Sequence, residues 1–191
     1  CQKTHERKLA MPLRILSLGA GVQSSTLAFL YAKKEITPSV DACIFADTGG
    51  EPASVYSYLD FLEKELPFPV HRVMHKDGLT KAIEEATDGT ANRLSSPPFF
   101  TLTDGGVGML NRQCTSDFKI NPIKRKIRSL LGYKKGQRIP AGACVQSIGI
   151  SLDEIQRMKE SRDNWIENVF PLVDLRMRRG DCFEWLKKNG F

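Results

Sequence analysis

One segment of the chain crowds small residues against hydroxyls: Gly19-Ala20-Gly21-Val22-Gln23-Ser24-Ser25, followed by Thr26. Two glycines and an alanine let peptide N–H groups approach an anion without interference from Cβ atoms. Ser24, Ser25 and Thr26 place hydroxyls where a helix is expected to open, and there the orphan N–H donors and the positive end of the helix dipole favour phosphate. By composition alone, a glycine-rich strand-to-helix turn capped by serine fits as well as a phosphate grip. No Gly-Lys-Ser/Thr follows, which excludes a Walker A loop, and the spacing does not match the Gly-x-Gly-x-x-Gly dinucleotide fingerprint.

Other residues with chemical potential lie further along. Asp47 directly follows an apolar run, where a carboxylate is either a helix or turn cap or a ligand-facing group. Cys114 stands between Arg112 and Lys119, cations that lower a thiol pKa and raise its thiolate fraction. It is the best nucleophile candidate, although a lone cysteine is more often a small buried hydrophobe. Cys43, inside an apolar run, and Cys182, in the first turn of a helix, read as core residues. Lys119, Arg125 and Arg157 are candidate counter-charges for phosphate or sulfate, or members of a solvated face. The five cysteines are irregularly spaced, form no Cys-x-x-Cys pair and make no zinc pattern with the three histidines, so a mononuclear metal site is not expected.

The elements that must position these residues follow from periodicity. Arg14 to Leu18 is a short apolar strand entering the glycine turn, and Ser24 to Lys34 has Leu27, Ala28, Leu30 and Tyr31 at helical spacing. Ala42 to Ala46 predicts a second strand, and the next helix aligns Val55, Tyr58, Leu59, Leu62 and Leu66. Val70 to Met74 predicts a third strand, with His71 and His75 at a strand and its exit. Thr87 to Asn111 loses periodicity and reads as a long loop, of the length that is usually functional or disordered. Asn121 is the expected N-cap of a helix with Pro122 at its first position, burying Ile123, Ile127, Leu130 and Leu131. Ala143 to Ile150 is the next strand. Ser151 to Glu154 reads as a capping box opening a helix with Leu152, Ile155 and Met158, and a last helix is expected from Asp181, with Glu184 three residues on, to Gly190. Strands alternating with amphipathic helices predict an α/β fold, a parallel twisted sheet with right-handed crossovers and helices on both faces, whose ligands bind at the carboxyl ends of the strands.

At 191 residues the chain suits one domain. Residues 1–11 are polar and unpatterned and are expected to be a flexible N-terminal extension. No apolar run is long enough to span a bilayer and no secretory h-region is present, so a soluble, cytoplasmic protein with no membrane partner is expected. The net charge is +6, and the stretch 112–138 concentrates nine basic residues against Asp117 alone. That stretch is either a solvated helix face or a nucleic-acid contact; only Tyr133 interleaves the cations as single-strand binding requires.

The loop Gly19-Ala20-Gly21-Val22-Gln23-Ser24-Ser25 resembles the PP-loop of the adenine nucleotide α-hydrolase superfamily, in its phosphoadenosine phosphosulfate (PAPS) reductase-like branch. Phe45-Ala46-Asp47-Thr48-Gly49 resembles the Asp-Thr-Gly at the end of that family's second strand. Gly149-Ile150-Ser151, with Asp153, Glu154 and Arg157, resembles its later strand-to-helix motif. Arg112-Gln113-Cys114, followed by Lys119 and Pro122, is similar to the segment where relatives place a functional cysteine. The resemblance spans roughly Leu13 to Phe191 and implies a Rossmann-like, adenine nucleotide α-hydrolase-like domain over 12–191.

It implies an enzyme of sulfur metabolism or nucleotide activation that binds ATP or PAPS. Contacts would come from Ser17, Gly19, Ala20, Gly21, Val22, Gln23, Ser24, Ser25, Asp47, Thr48, Gly149 and Arg157, with Cys114, Asp47 and Lys119 as catalytic candidates. The reaction would adenylate an acceptor with loss of pyrophosphate or reduce an activated sulfate, the latter with thioredoxin or glutaredoxin as thiol donor. The commoner loop of the superfamily has serine and aspartate where Gly19 and Gln23 stand here; the substitution removes a carboxylate that would hold magnesium, so Mg2+ is admitted only as an accessory. It also admits a nucleotide-sensing or nucleic-acid-associated binding module that has lost turnover. Relatives with an iron–sulfur cluster pair cysteines near Cys114 with a later Cys-x-x-Cys, a pattern missing from these 191 residues, which argues against a cluster. Several relatives continue past the last helix, so the chain is expected to be a truncated or a naturally shortened form.

Overall fold

The computed structural model describes residues 11–76, 78, 79, 81, 84, 88, 100–103, 106–109 and 115–191. Five strands form one all-parallel sheet: β1 (Leu13–Leu18), β2 (Ala42–Asp47), β3 (Val70–Met74), β6 (Cys144–Ile148) and β7 (Ile166–Val169), in the order β3-β2-β1-β6-β7. Chain order runs outward from β1 through β2 to β3, then returns to the other side of β1 with β6. The point where the direction of winding reverses therefore lies between β1 and β6, which pair in register from Leu13 with Cys144 to Ser17 with Ile148. A crevice at the carboxyl ends of two such strands is where open α/β sheets bind ligands.

The helices are α1 (Val22–Ala32), α2 (Ala53–Glu65), α3 (Asn121–Leu130), α4 (Pro171–Asp174) and α5 (Arg179–Lys188). Period-two alternation along β1 and β2 sends side chains to two cores. Leu16, Leu18, Cys43 and Phe45 pack under α1, α2 and α5 with Leu27, Leu59, Leu62, Cys182 and Leu186. Ile15, Ile44 and Cys144 pack on the opposite face under α3 with Ile123, Ile127 and Trp165. Both faces of the sheet are thus covered, as the run of six buried residues in β2 requires.

Several local expectations are corrected. Part of the stretch assigned to a long loop is an antiparallel hairpin, β4 (Phe100–Thr103) with β5 (Gly106–Met109), and the Asp104-Gly105 dipeptide between them in the sequence is a hairpin signal. Asn121 is the first helical residue of α3, not its cap, because a wide π-type turn, Thr115–Ile120, runs directly into it. A wider turn relieves the clash between the Pro122 ring and the carbonyl four residues back. Leu130 faces solvent. Ser151 to Glu154 opens a 3-10 segment, Leu152–Arg157, broken at Glu154, and leaves Ile155 and Met158 exposed. Helix α5 begins two residues before Asp181, whose carboxylate accepts from the Arg178 N–H at 2.8 Å; Gly190 (φ 82°) ends it as expected. Strand β7 and the single turn α4 had no periodic signal.

Candidate functional site

Between β1 and α1 the backbone is shaped by one side chain. The Ser24 hydroxyl oxygen accepts from Gly19 N–H at 3.1 Å and Gly21 N–H at 3.2 Å, and its proton goes to the Gly21 carbonyl at 3.1 Å. Ala20 takes a left-handed conformation (φ 52°), a cost of about 1–2 kcal/mol for a residue with a Cβ. Gly21 is the N-cap and offers no side-chain acceptor, so helix geometry leaves the first-turn N–H groups of Val22, Gln23 and Ser24 uncapped. Gly19 and Gly21 are exposed, and nothing stands within 4 Å of where a Cβ on Gly21 would sit. The turn is therefore open to solvent. Ser25, 1% exposed, carries a hydroxyl with no hydrogen-bond partner among the described residues.

The exit of β6 presses on this turn. A Cβ on Gly149 would lie 2.9 Å from Ser24 N and 3.0 Å from its Cα, so only glycine permits the approach. Gly149 thus shapes the loop through packing. Ser17, half-buried, lies opposite Ile148 and Ile44 in the two neighbouring strands.

At the end of β2, Asp47 is buried and its Oδ1 accepts from Gly49 N–H at 2.7 Å and from the Tyr56 hydroxyl at 2.9 Å. One oxygen of this carboxylate therefore makes the turn that the sequence allowed as an alternative. The Tyr56 hydroxyl, donating to Asp47, has its pKa raised above the usual phenol value. The Thr48 hydroxyl donates to Glu51 at 3.0 Å, and Lys119 approaches the same carboxylate at 3.9 Å. Lys119 is placed there by Phe118, which is 1% exposed and meets the edge of His75 at a centroid distance of 4.9 Å. The sequence candidates Asp47, Thr48 and Lys119 thus meet at one strand end.

A third group surrounds Gln23. Its Nε2 donates to Glu154 Oε2 at 3.2 Å and approaches Ser151 Oγ at 3.5 Å, while its Oε1 accepts from Arg179 Nη1 at 3.3 Å. Arg157, largely exposed, is held at 2.6 Å from the other oxygen of Glu154. Asp153 accepts from the Arg179 backbone N–H at 3.1 Å, and the Ser151 hydroxyl is the main influence holding its carboxyl below the usual range. These contacts replace the capping box read from the sequence: the acidic side chains turn to Gln23 and the arginines. Arg179 escaped sequence reasoning. Two arginines opening a helix, where the dipole favours acids, were the available signal.

Cys114, with Arg112 and Gln113, lies outside the described residues, as do residues 1–10 of the N-terminal extension. Cys43 and Cys182 are core residues as expected, and burial pushes their thiols up to about 12 and about 11; Cys144 is likewise raised to about 12. In the basic stretch, Lys124 pairs with Asp163, and Arg128 donates to the carbonyls of Lys134 and Gln137 while covering the Trp165 ring at 5.9 Å. Lys124, Arg125 and Arg128 with Asn121, Asp163 and Trp165 line a pocket of about 270 Å³. No described helix is long and apolar enough to cross a membrane.

No family model matches the sequence, and no curated protein matches it. The structure does match solved ones. It superposes on the crystal structure of phosphoadenylyl-sulfate (PAPS) reductase from Candida auris, a phosphate complex, with a TM-score of 0.59 over 93% of this chain and 73% of that one, at 14% sequence identity. The chain accordingly has a PAPS reductase-like α/β fold.

Proposed function

We propose that this chain is a PAPS reductase-like PP-loop enzyme that seats the phosphates of an adenine nucleotide, ATP or PAPS, on residues 19–25. The observation that carries the reading is the uncapped N-terminus of α1, opened by an exposed, strained glycine turn at the winding reversal of the sheet. N–H groups without partners, a positive dipole end and the unpaired Ser25 hydroxyl together form an anion seat. Arg157 and Lys119, which meet the carboxylates of Glu154 and Glu51, are the candidate counter-charges for those phosphates.

Two reactions suit this seat. With ATP, an acceptor attacks the α-phosphate and pyrophosphate leaves, its charge stabilised by the loop amides. With PAPS, the Cys114 thiolate attacks sulfur, forming a cysteine S-sulfonate and releasing the nucleotide bisphosphate; a thiol of thioredoxin or glutaredoxin type then attacks Cys114, releases sulfite, and its second thiol resolves the mixed disulfide. The carboxylates beside the loop are engaged, Asp47 by Gly49 and Tyr56 and Glu154 by Gln23 and Arg157, so no metal-borne step is proposed; magnesium would enter with the nucleotide's phosphates. Cys43 and Cys144 lie in cores on opposite faces of the sheet, so the described cysteines do not fit an iron–sulfur cluster.

Release of pyrophosphate from ATP or of sulfite from PAPS, each abolished by Ser24→Ala, tests the proposal; Cys114→Ala should abolish only the second. Binding without product would leave a nucleotide-sensing module. The pocket of Lys124, Arg125 and Arg128 favours a second reading, nucleic-acid contact by the basic helix, and affinity for single-stranded DNA or RNA that falls steeply with salt would support it.

A further inference from the structure

We propose that Arg179, at the start of the last helix, is the positioning residue of the phosphate loop: it fixes the amide of Gln23 and thereby couples α5 and the β6 exit to the anion seat. The inference rests on the nucleotide reading of residues 19–25 and names the device that keeps them in shape.

Gln23 is the second residue of α1 and is 8% exposed, so its amide must find partners inside the protein. An amide has a polarity, and its surroundings here read that polarity from both ends. The carbonyl oxygen meets a guanidinium, Arg179, and the NH2 group meets a carboxylate, Glu154, with the Ser151 hydroxyl beside it. Reversing the amide would set NH2 against Arg179 and a carbonyl against Glu154. The cluster therefore admits one orientation of Gln23, and with it one orientation of the first turn of α1.

Arg179 is itself held from two directions. Its backbone N–H donates to Asp153, and the turn that carries it is tied to α1 by the Thr26 hydroxyl, which donates to the Cys182 carbonyl at 3.2 Å as well as to Val22 within its own helix. Beneath these bonds α1 and α5 share one core, with Leu27 and Cys182 both fully buried. An arginine in the first turn of a helix opposes the dipole, and Arg178 and Arg179 both do so. The cost has a local counterpart in the carboxylates of Asp153 and Glu154 and the carbonyl of Gln23.

The test separates positioning from phosphate contact and from failure of the nucleotide reading. In the free protein, hydrogen exchange of the Gly19, Gly21 and Ser25 amides, the hydrogen-bonded ones of the loop, should quicken about tenfold in Arg179→Ala and in Arg179→Met, which keeps the length of the stem, and should return to the native rate in Arg179→Lys, since one N–H donor suffices for Oε1. Titration with ATP and PAPS should show about tenfold weaker binding in Arg179→Ala, and no further loss when Arg179→Ala is added to Gln23→Ala. Unchanged exchange in both Arg179→Ala and Arg179→Met would overturn the proposal, as would losses that multiply in the double variant, because an arginine touching phosphate directly acts independently of Gln23. If the native protein binds neither nucleotide while Arg179 variants still loosen the loop, the nucleotide reading fails and the positioning role stands.

Discussion

A Cβ placed on Gly149 would stand 2.9 Å from the backbone nitrogen of Ser24, so the end of β6 and the first turn of α1 are in contact through bare backbone. Ser24 in turn bridges Gly19 and Gly21 with its hydroxyl. The shape of the turn proposed as the anion seat is thus fixed from beneath by a glycine 125 residues further along the chain than Ser24 and from within by a serine.

Gly149→Ala should therefore damage stability and binding together. The added methyl meets backbone atoms that have no rotamer by which to yield, and overpacking of this kind costs about 1–3 kcal/mol. A denaturant melt should register that loss, and nucleotide affinity should fall in the same variant. Gly180→Ala, whose Cβ would meet nothing within 4 Å, is the control and should retain native affinity.

One oxygen of the Asp47 carboxylate, Oδ1, takes both of the bonds from Gly49 and Tyr56 that close the turn. Asp47→Asn keeps a carbonyl oxygen for the turn but exchanges charge-assisted bonds for neutral ones, and should lose about 1 kcal/mol of stability, whereas Asp47→Ala should lose about 1–3 kcal/mol. If the second oxygen faces ligand, Asp47→Asn weakens nucleotide binding in protein that is still fully folded. Native affinity in that variant would confine Asp47 to the turn.

The three buried thiols set an alkaline limit. Burial raises Cys43 and Cys144 to about 12 and Cys182 to about 11 from an ordinary value of 9.0, so the unfolded chain releases these protons first. A raised folded pKa contributes stability that is complete below the unfolded value and is lost as pH climbs through the folded one. The denaturant midpoint should fall steadily from pH 9 towards 12, and Cys144→Ala should flatten that slope.

Thiol labelling distinguishes core from proposed nucleophile. At pH 8 alkylation should leave Cys43, Cys144 and Cys182 untouched until the protein unfolds, because each is fully buried. Cys114 should react in the native state and be protected by PAPS. Peptide mapping that finds Cys114 as inert as Cys43 would remove it from the proposed mechanism.

The sheet was legible because its strands are short apolar runs ending in turn residues; Val70 to Met74 was bounded correctly, and β1 and β2 to within one residue. Strand β7 was not, since Ile166-Glu167-Asn168-Val169 is half polar, has no apolar run of its own and is a strand through its pairing with β6. The glycine turn was legible in the same local way. The polar group around Gln23 was not, because Arg179 is 156 residues from its partner and only the packing of α5 on α1 brings them together. The helix expected after Ser151 failed for a related reason: its acidic residues bond to distant groups instead of capping their own segment.

In the proposed function, nucleotide phosphates sit on the amides that open α1. The most direct measurement follows backbone amide resonances of the 15N-labelled protein during titration with ATP and with PAPS. Saturable shifts largest at Gly19, Gly21, Val22, Gln23, Ser24 and Ser25, and lost in Ser24→Ala, are the predicted result. Shifts confined to the pocket of Asn121, Arg125 and Trp165, or none at millimolar nucleotide, would contradict it.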